Sequence, residues 1–472
     1  MEDDKEKRPG APFDVVIVGA GVSGTALLYA LARYGKFARI ALVEKYENVG
    51  GVNSHARNNS QTLHVGDIET NYSMEKVREL KPAASMVARY ALALSKEKSE
   101  KIIFPVQKMI LAVGGKEAQT LADRYEKLKE IFPKIQKLDR AGIERDEPEI
   151  VRGRKPDVEL LALRSDGFAV DYQMLARSFV EETLGRKDAK ERVSLFLGNP
   201  VANVARDKSG VWSVELRNGG KLRSRAVVFD ADSYSLLFAK RLGYGREFSL
   251  IPVAGTFFFS KRVLNGKVYT VQDPRLPFSA VHGDPDVRVP DMTRWGPTAR
   301  FFPVLEARNW KTSPDYFKVS GLHRWQTWFS FVVILLDPLR FVYLARNLLY
   351  EIPYLGAYFF AKQAQKIAPS LRGSDFARAR GFGGMRLQRV NTKTHGLLLG
   401  EGKIIGDNII FNMTPSPGAS VCLYNAMRDA EQLARFFGGI SYFNKELMTR
   451  ELCVPGESIV SEDLSLKETY AS

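Results

Sequence analysis

Residues 13–24 read FDVVIVGAGVSG, and this stretch decides the fold. The run FDVVIV is short, apolar and rich in β-branched residues, which predicts a buried strand. Glycines follow at once, and residues 22–34 (VSGTALLYALARY) continue as a helix. Residues 40–44 (IALVE) read as a second strand, so a β-α-β unit opens a parallel sheet. Gly19 permits the tight turn, Gly21 lets backbone approach a pyrophosphate at the helix N-terminus, and Gly24 allows close helix–strand packing. Glu44 ends the second strand, where a carboxylate accepts hydrogen bonds from both ribose hydroxyls of an adenosine. With strand, turn, helix and acid in register, the reading is a dinucleotide site; the alternative is a glycine turn in an unrelated α/β protein. A chain that uses both FAD and NAD usually carries a second, internal GxGxxG. The nearest pattern, Gly400, Gly402 and Gly406, is one residue too long and lies in a strand-rich stretch. FAD is the expected dinucleotide.

The chain has 472 residues, 45% of them hydrophobic, enough for two or three intermixed domains around a large core. Two cysteines, Cys422 and Cys453, provide neither a disulfide framework nor a metal-ligand cluster. Lys+Arg exceed Asp+Glu by 69 to 54, a formal charge of +15 that attracts anionic lipid or anionic metabolites. No nucleic-acid-binding module is legible, so nucleic acid is not an expected partner. The mixed-charge start lacks an apolar signal region, and no run reaches the roughly 18–20 apolar residues of a membrane span.

Residues 45–72 read as polar loop, and 75–150 as mostly helical with breaks at Pro105 and Gly114-Gly115. Residues 170–184 form an amphipathic helix, and 193–229 hold three or four strands joined by Asp/Ser/Gly and Asn-Gly-Gly turns. Residues 248–300 are β-rich in short runs, 390–411 strand-like, and 419–437 an Ala-rich helix; the tail 455–472 is polar.

At residues 50–72 the text becomes specific. SHARNNSQTLHVGDIETNY, with the N-terminal stretch before it, closely resembles the malate:quinone oxidoreductases. SLLFAKRLGYG, PVAGTFFFS, LPFSAVHGDPDV, WGPTARFFPV, GGMRLQ and FNMTPSPGASVCLYNAM agree, so the resemblance runs from about residue 13 to 440. It implies an α/β fold of the glutathione-reductase-like, amino-acid-oxidase type. A Rossmann-type FAD domain of discontiguous segments (13–80, 160–245 and 376–440) is joined by an antiparallel-sheet substrate domain (81–159 and 246–375). It also implies oxidation of (S)-malate to oxaloacetate with electrons passed to membrane quinone. Two departures stand out. After AVVFDA, where relatives carry small glycine-containing turns, this chain has Asp232-Ser233-Tyr234, and a carboxylate so near a pyrophosphate is expected to be displaced from it. The segment 321–366 matches no general family pattern.

Dehydrogenating a 2-hydroxy acid needs a hydride acceptor, a base and cations for the carboxylates. Five histidines are present. His282 lies in SAVHGDPD, with Asp284 and Asp286 behind it to orient the ring, and the resemblance places that stretch over the flavin; the alternative is a turn histidine that holds the loop. His64, in TLHVG, matches a family stretch along the flavin, so the base lies between His282 and His64. Arg386, in GGMRLQ, offers a bidentate fork to a carboxylate and resembles the family's substrate-facing arginine. Gln388 follows two residues on, on the same strand face. Gly418 and Ala419 open the last helix, where backbone N–H groups stabilise charge on a reduced flavin. Ser60 and Gln61 are assigned to the cofactor on the same resemblance. The second ligand for a dicarboxylate is not legible.

Residues 323–360 are dense in aromatics. In a helix from Leu339, Phe341, Ala345, Leu348 and Ile352 share one face, and Arg340, Asn347 and Glu351 another. This suits a helix lying in a membrane interface, and equally a buried domain helix. The leading expectation is a peripheral membrane flavoenzyme, on the cytoplasmic face of a bacterial inner membrane or in a mitochondrial inner membrane. Another FAD-dependent 2-hydroxy-acid dehydrogenase or oxidase, such as one for 2-hydroxyglutarate, or a non-catalytic flavin-binding protein, are the alternatives.

Overall fold

The computed structural model describes residues 11–273, 276, 280–398, 401–413, 417–439 and 442–453. Its first motif is the predicted one. Strand Phe13–Val18 leads through Gly19–Gly21 into helix Val22–Tyr34 and back to strand Ile40–Val43. The two strands pair in parallel, Val15 against Ile40 and Val18 against Val43, and on its other edge Val15 faces Ala226 of strand Lys221–Phe229, also in parallel. Ile409–Met413 and Val193–Phe196 extend this sheet, and Gly402–Gly406 closes one edge antiparallel. Val201–Arg206 and Trp212–Leu216 add a meander on Lys221–Phe229, for eight strands among the described residues.

Both faces of the sheet are covered, which is why its strands read as unbroken apolar runs rather than alternating ones. Val15 and Ile17 join Leu27, Leu31, Phe179 and Ala430 under the helices on one face. Val16 and Val18 join Trp212, Phe229 and Phe411 on the other.

The remaining ten strands among the described residues form a second sheet, largely antiparallel, which runs Gly396–Leu398, Met385–Asn391, Phe248–Lys261, Met292–Phe301, His282–Pro285, Lys267–Thr270, Ile103–Val113, Leu160–Val170 and Gln136–Leu138, with Ala377–Arg378 beside Phe248–Lys261. Here the structure corrects several sequence expectations. Residues 103–113, read as part of a helical region, are a strand that pairs over its whole length, from Ile103 opposite Val170 to Val113 opposite Leu160. Long-range pairing overrides the helical character of its charged neighbours. Leu160–Val170 and Met385–Asn391, grouped by sequence with the FAD segments, pair in this second sheet. The helix expected at 419–437 begins at Cys422, not Ala419, and a further helix, Lys445–Leu452, follows it; Gly418–Val421 is a 3-10 turn closed by Ser420 N–H on the Pro417 carbonyl.

Segment 321–366 forms helices Trp325–Leu336, Pro338–Leu349 and Gly356–Ala364. On the second, the expected polar face is turned the other way. Asn347 is buried and its Oδ1 accepts from Ala299 N–H at 2.7 Å, while Phe341 and Leu348 stand 58% and 62% exposed. One buried amide saturated by a strand edge anchors the helix, so its apolar side is left outward. Among the described residues no single helix is long and apolar enough to cross a membrane; Trp325–Leu336 and Pro338–Leu349 meet that test only as a pair bent by 88°.

Candidate active site

A cavity of about 540 Å³ opens where the parallel strands end, at the usual ligand position of a doubly wound sheet. Gly19, Gly21 and Glu44 line it. Gly19 sits at φ 110°, and a Cβ there would lie 2.4 Å from the Asp230 carbonyl oxygen. At Gly24 a Cβ would lie 1.9 Å from the Gly19 carbonyl oxygen, which is the close helix–strand packing the motif predicts. Gly21, the N-cap of Val22–Tyr34, meets only Ser54 Oγ at 3.5 Å. Glu44 is held by Ala20 N–H at 2.8 Å and Tyr46 N–H at 3.1 Å, which fixes its carboxylate at the cavity wall. A helix N-terminus, a wall with no side chain and an anchored acid at the second strand end fit the adenosine diphosphate half of FAD.

Asp232 is not displaced. It lines the cavity at φ 50°, accepts from Asn53 Nδ2 at 2.7 Å, and burial pushes its carboxyl up to about 6. Burial and the nearby Asp429 raise the Asp230 carboxyl as well, with Asn412 opposing. The raised pKa values lessen the expected repulsion without removing it, because a carboxyl nearer to neutrality repels a pyrophosphate less.

The loop from Asn53 to Glu69 wraps the far end of the cavity. Ser60, Thr62 and His64 line it. His64 Nδ1 and Glu69 Oε1 form a close hydrogen-bonded pair, and Ser60 Oγ stands 3.4 Å from His64 Nε2. Burial pushes the Glu69 carboxyl up, but the His64 ring and, behind it, Lys108 outweigh this and hold it below the usual range. The loop is fixed from beneath. Lys108 pairs with Asp67 at 2.6 Å, both almost fully buried, and Ser165 Oγ donates to Asp67. Ser420 Oγ accepts from His64 N–H at 3.0 Å and lies 2.9 Å from the Tyr172 hydroxyl, joining the loop to the turn before helix Cys422–Phe436.

Arg386 lines the same cavity, from strand Met385–Asn391. Burial lowers its pKa, with Tyr269, Tyr343 and Tyr72 acting against that. No ion pair holds it among the described residues.

Of the other sequence candidates only Ala419 lines the cavity. His282 is buried in a strand outside the cavity lining, with Tyr269 stacked on it at 4.2 Å between ring centres and its Nε2 3.2 Å from Asp284. Its place is a polar layer behind the cavity wall, with Lys267 3.5 Å from Asp284. Gln61 is buried at φ 56° and ties the loop to Asp286 and Val287. Gln388 shares the face of Arg386, opposite Ile251, without lining the cavity. Ala419 lines it, and Gly418 is buried without lining it. Glu69, Thr62, Tyr172 and Ser420 were missed. Glu69 follows His64 by five residues, but nothing local marks that spacing as a contact.

A doubly wound nucleotide sheet, a large antiparallel sheet and a cavity lined by both Arg386 and His64 define an FAD-dependent oxidoreductase of the amino-acid-oxidase type. Solved structures share the fold. L-α-glycerophosphate oxidase from Mycoplasma pneumoniae with FAD bound aligns over 90% of this chain and 94% of that one (TM-score 0.60, 16% identity). L-amino acid deaminase from Proteus vulgaris aligns over 95% and 98% (TM-score 0.59, 13% identity). The malate:quinone oxidoreductase family model matches residues 11–301. The chain is 38% identical over 451 residues to a probable malate:quinone oxidoreductase of Campylobacter jejuni, covering 93% of this chain and 99% of that one. It is 37% identical over 450 residues to the malate:quinone oxidoreductase of Helicobacter pylori, with the same coverage. This chain belongs to the malate:quinone oxidoreductase family.

Proposed function

We propose that the chain oxidises (S)-malate to oxaloacetate at the Arg386 end of the cavity and delivers the electrons to membrane quinone. The observation that carries this reading is Arg386. A half-buried guanidinium on the cavity wall, with no acidic partner among the described residues, is free to pair with an arriving anion, and a substrate carboxylate is that anion. When bound, FAD supplies the two-electron acceptor for the hydride leaving the hydroxyl carbon. The eight-stranded sheet carries the nucleotide, and the ten-stranded sheet the substrate.

Of the two histidines, His64 is the better base. It lines the cavity that Arg386 lines, and Glu69 takes its Nδ1–H, which leaves Nε2 as the acceptor for the substrate hydroxyl proton. Glu69 fixes the tautomer and stabilises the imidazolium that forms. His282, behind Tyr269, supports the wall. Anaerobic titration with malate, 2-hydroxyglutarate, lactate and D-amino acids tests the substrate. Bleaching of the flavin by malate at the lowest concentration is expected, and preferential bleaching by another acid refutes the assignment.

The membrane contact is the face made by Trp325, Trp328, Leu336, Phe341 and Leu348, all more than half exposed. Exposed apolar surface of this extent is a cost in water. Quinone lies in lipid, and a chain of charge +15 is drawn to anionic bilayers, which makes the bilayer its occupant. The face docks peripherally, on the cytoplasmic side of a bacterial inner membrane.

A further inference from the structure

The residues that follow Glu44 are held by a segment of the other sheet. Strand Met292–Phe301 continues through a turn, residues 302–312, into helix Ser313–Ser320. Glu306 in that turn is buried, and both of its carboxylate oxygens are used. Oε1 pairs with Lys45 Nζ, while Oε2 accepts from the Tyr46 hydroxyl at 2.6 Å and from Asn309 Nδ2 at 3.0 Å. Thr312 Oγ1 shapes the turn that presents it, accepting from the N–H groups of Leu305 at 3.0 Å and Glu306 at 3.3 Å and donating to the Asn309 carbonyl at 2.7 Å. Two residues beyond Glu306, the Arg308 guanidinium donates to Asn58 Oδ1 at 2.8 Å and to the Gly383 carbonyl at 2.7 Å. The turn is thus tied both to the end of the second parallel strand and to the loop that carries His64. Its base is packed, with Tyr316 and Val319 in the core beside Leu236 and Leu250. Glu44, Lys45, Tyr46, Asn58, Glu306 and Thr312 all line the one cavity, so both ties are made at its wall.

We propose that residues 302–312 form a strap of the cofactor site, latched by Glu306 to Lys45 and Tyr46, which closes the adenosine end of the cavity and slows release of FAD. Helix Ser313–Ser320 fixes the strap at its base, and the latch fixes its tip beside the carboxylate that receives the ribose. The Lys45 side chain is 30% exposed and that of Glu306 7%, so the latch lies at the rim, where salt reaches it. The inference rests on the adenosine placement at Glu44.

The test is release of FAD from the holoenzyme, followed by flavin fluorescence after large dilution. Glu306→Gln keeps the shape and removes the charge. The release rate is expected to rise about tenfold, the effect of losing a hydrogen bond between charged groups. Lys45→Met should match it, and the double variant should release FAD no faster than either, because the two residues form one contact. Salt should speed release from the wild type and much less from Glu306→Gln. The apoproteins should remain folded at the assay temperature by circular dichroism. Wild-type release in Glu306→Gln, multiplying effects in the double variant, or an apoprotein that melts at the assay temperature overturns the latch, the last because the pair then supports the fold alone. Glu44→Ala with wild-type FAD affinity overturns the adenosine placement itself.

Discussion

Replacing Gly21 by Asp separates what the glycine motif does for the fold from what it does for the cofactor. The three glycines differ in their surroundings. A Cβ at Gly24 lands 1.9 Å from the Gly19 carbonyl oxygen, which only backbone movement can relieve, and overpacking of that kind costs about 1–3 kcal/mol or more. At Gly19 the conformation itself, φ 110°, opposes a side chain. Gly21 has φ −71° and ψ 180°, open to any residue, and its nearest neighbour is an ordinary contact at 3.5 Å. It is also the N-cap of its helix, where Asp is a favoured residue. The apoprotein should therefore tolerate Gly21→Asp. The dinucleotide should not: a carboxylate about 4 Å from a pyrophosphate charge costs about 4 kcal/mol at an effective dielectric near 20, or about a thousandfold in affinity. The assay is FAD content by flavin absorbance, with circular-dichroism melting of the apoproteins. Gly21→Asp should emerge colourless and melt with wild-type apoprotein, whereas Gly24→Ala should melt lower. Full FAD in Gly21→Asp, or an apoprotein as unstable as Gly24→Ala, would refute the reasoning.

His64→Asn should slow flavin reduction by malate about 10²–10⁴-fold with FAD retained, and Glu69→Gln should follow it more weakly; His282→Asn having the larger effect in stopped-flow would move the base. Asp232 has a folded pKa of about 6 against about 3.9 unfolded, so between these values the folded state binds more protons and apoprotein stability falls as pH rises. Asp232→Asn should flatten that part of the Tm–pH curve, and an unchanged slope would assign it to other groups. Changing Phe341 and Leu348 together to Glu should abolish liposome binding and quinone reduction while malate still bleaches the flavin; co-sedimentation of the double variant at wild-type levels would move the membrane face elsewhere.

The nucleotide half of the molecule was legible in the sequence because its signals are local. A buried strand, Gly19, Gly21, Gly24 and Glu44 fall within thirty-two residues; Gly19 and Gly24 are demanded by backbone geometry, and Gly21 by the room a cofactor needs. The family motifs reached further, to Arg386 and the His64 loop, because those stretches are long enough to be specific. The rest depended on contacts between distant segments. Ile103–Val113 is held as a strand by pairing with Leu160–Val170 on one edge and Lys267–Thr270 on the other, contacts with segments far away in the sequence. His282 and His64 looked alike in sequence; packing put one behind Tyr269 and the other on the cavity with Glu69. The helix around Phe341 showed an apolar and a polar face, but which one meets the protein was decided by a single amide. Asn347 satisfies a strand N–H at Ala299, and a hydrogen bond between residues forty-eight apart is invisible to periodicity.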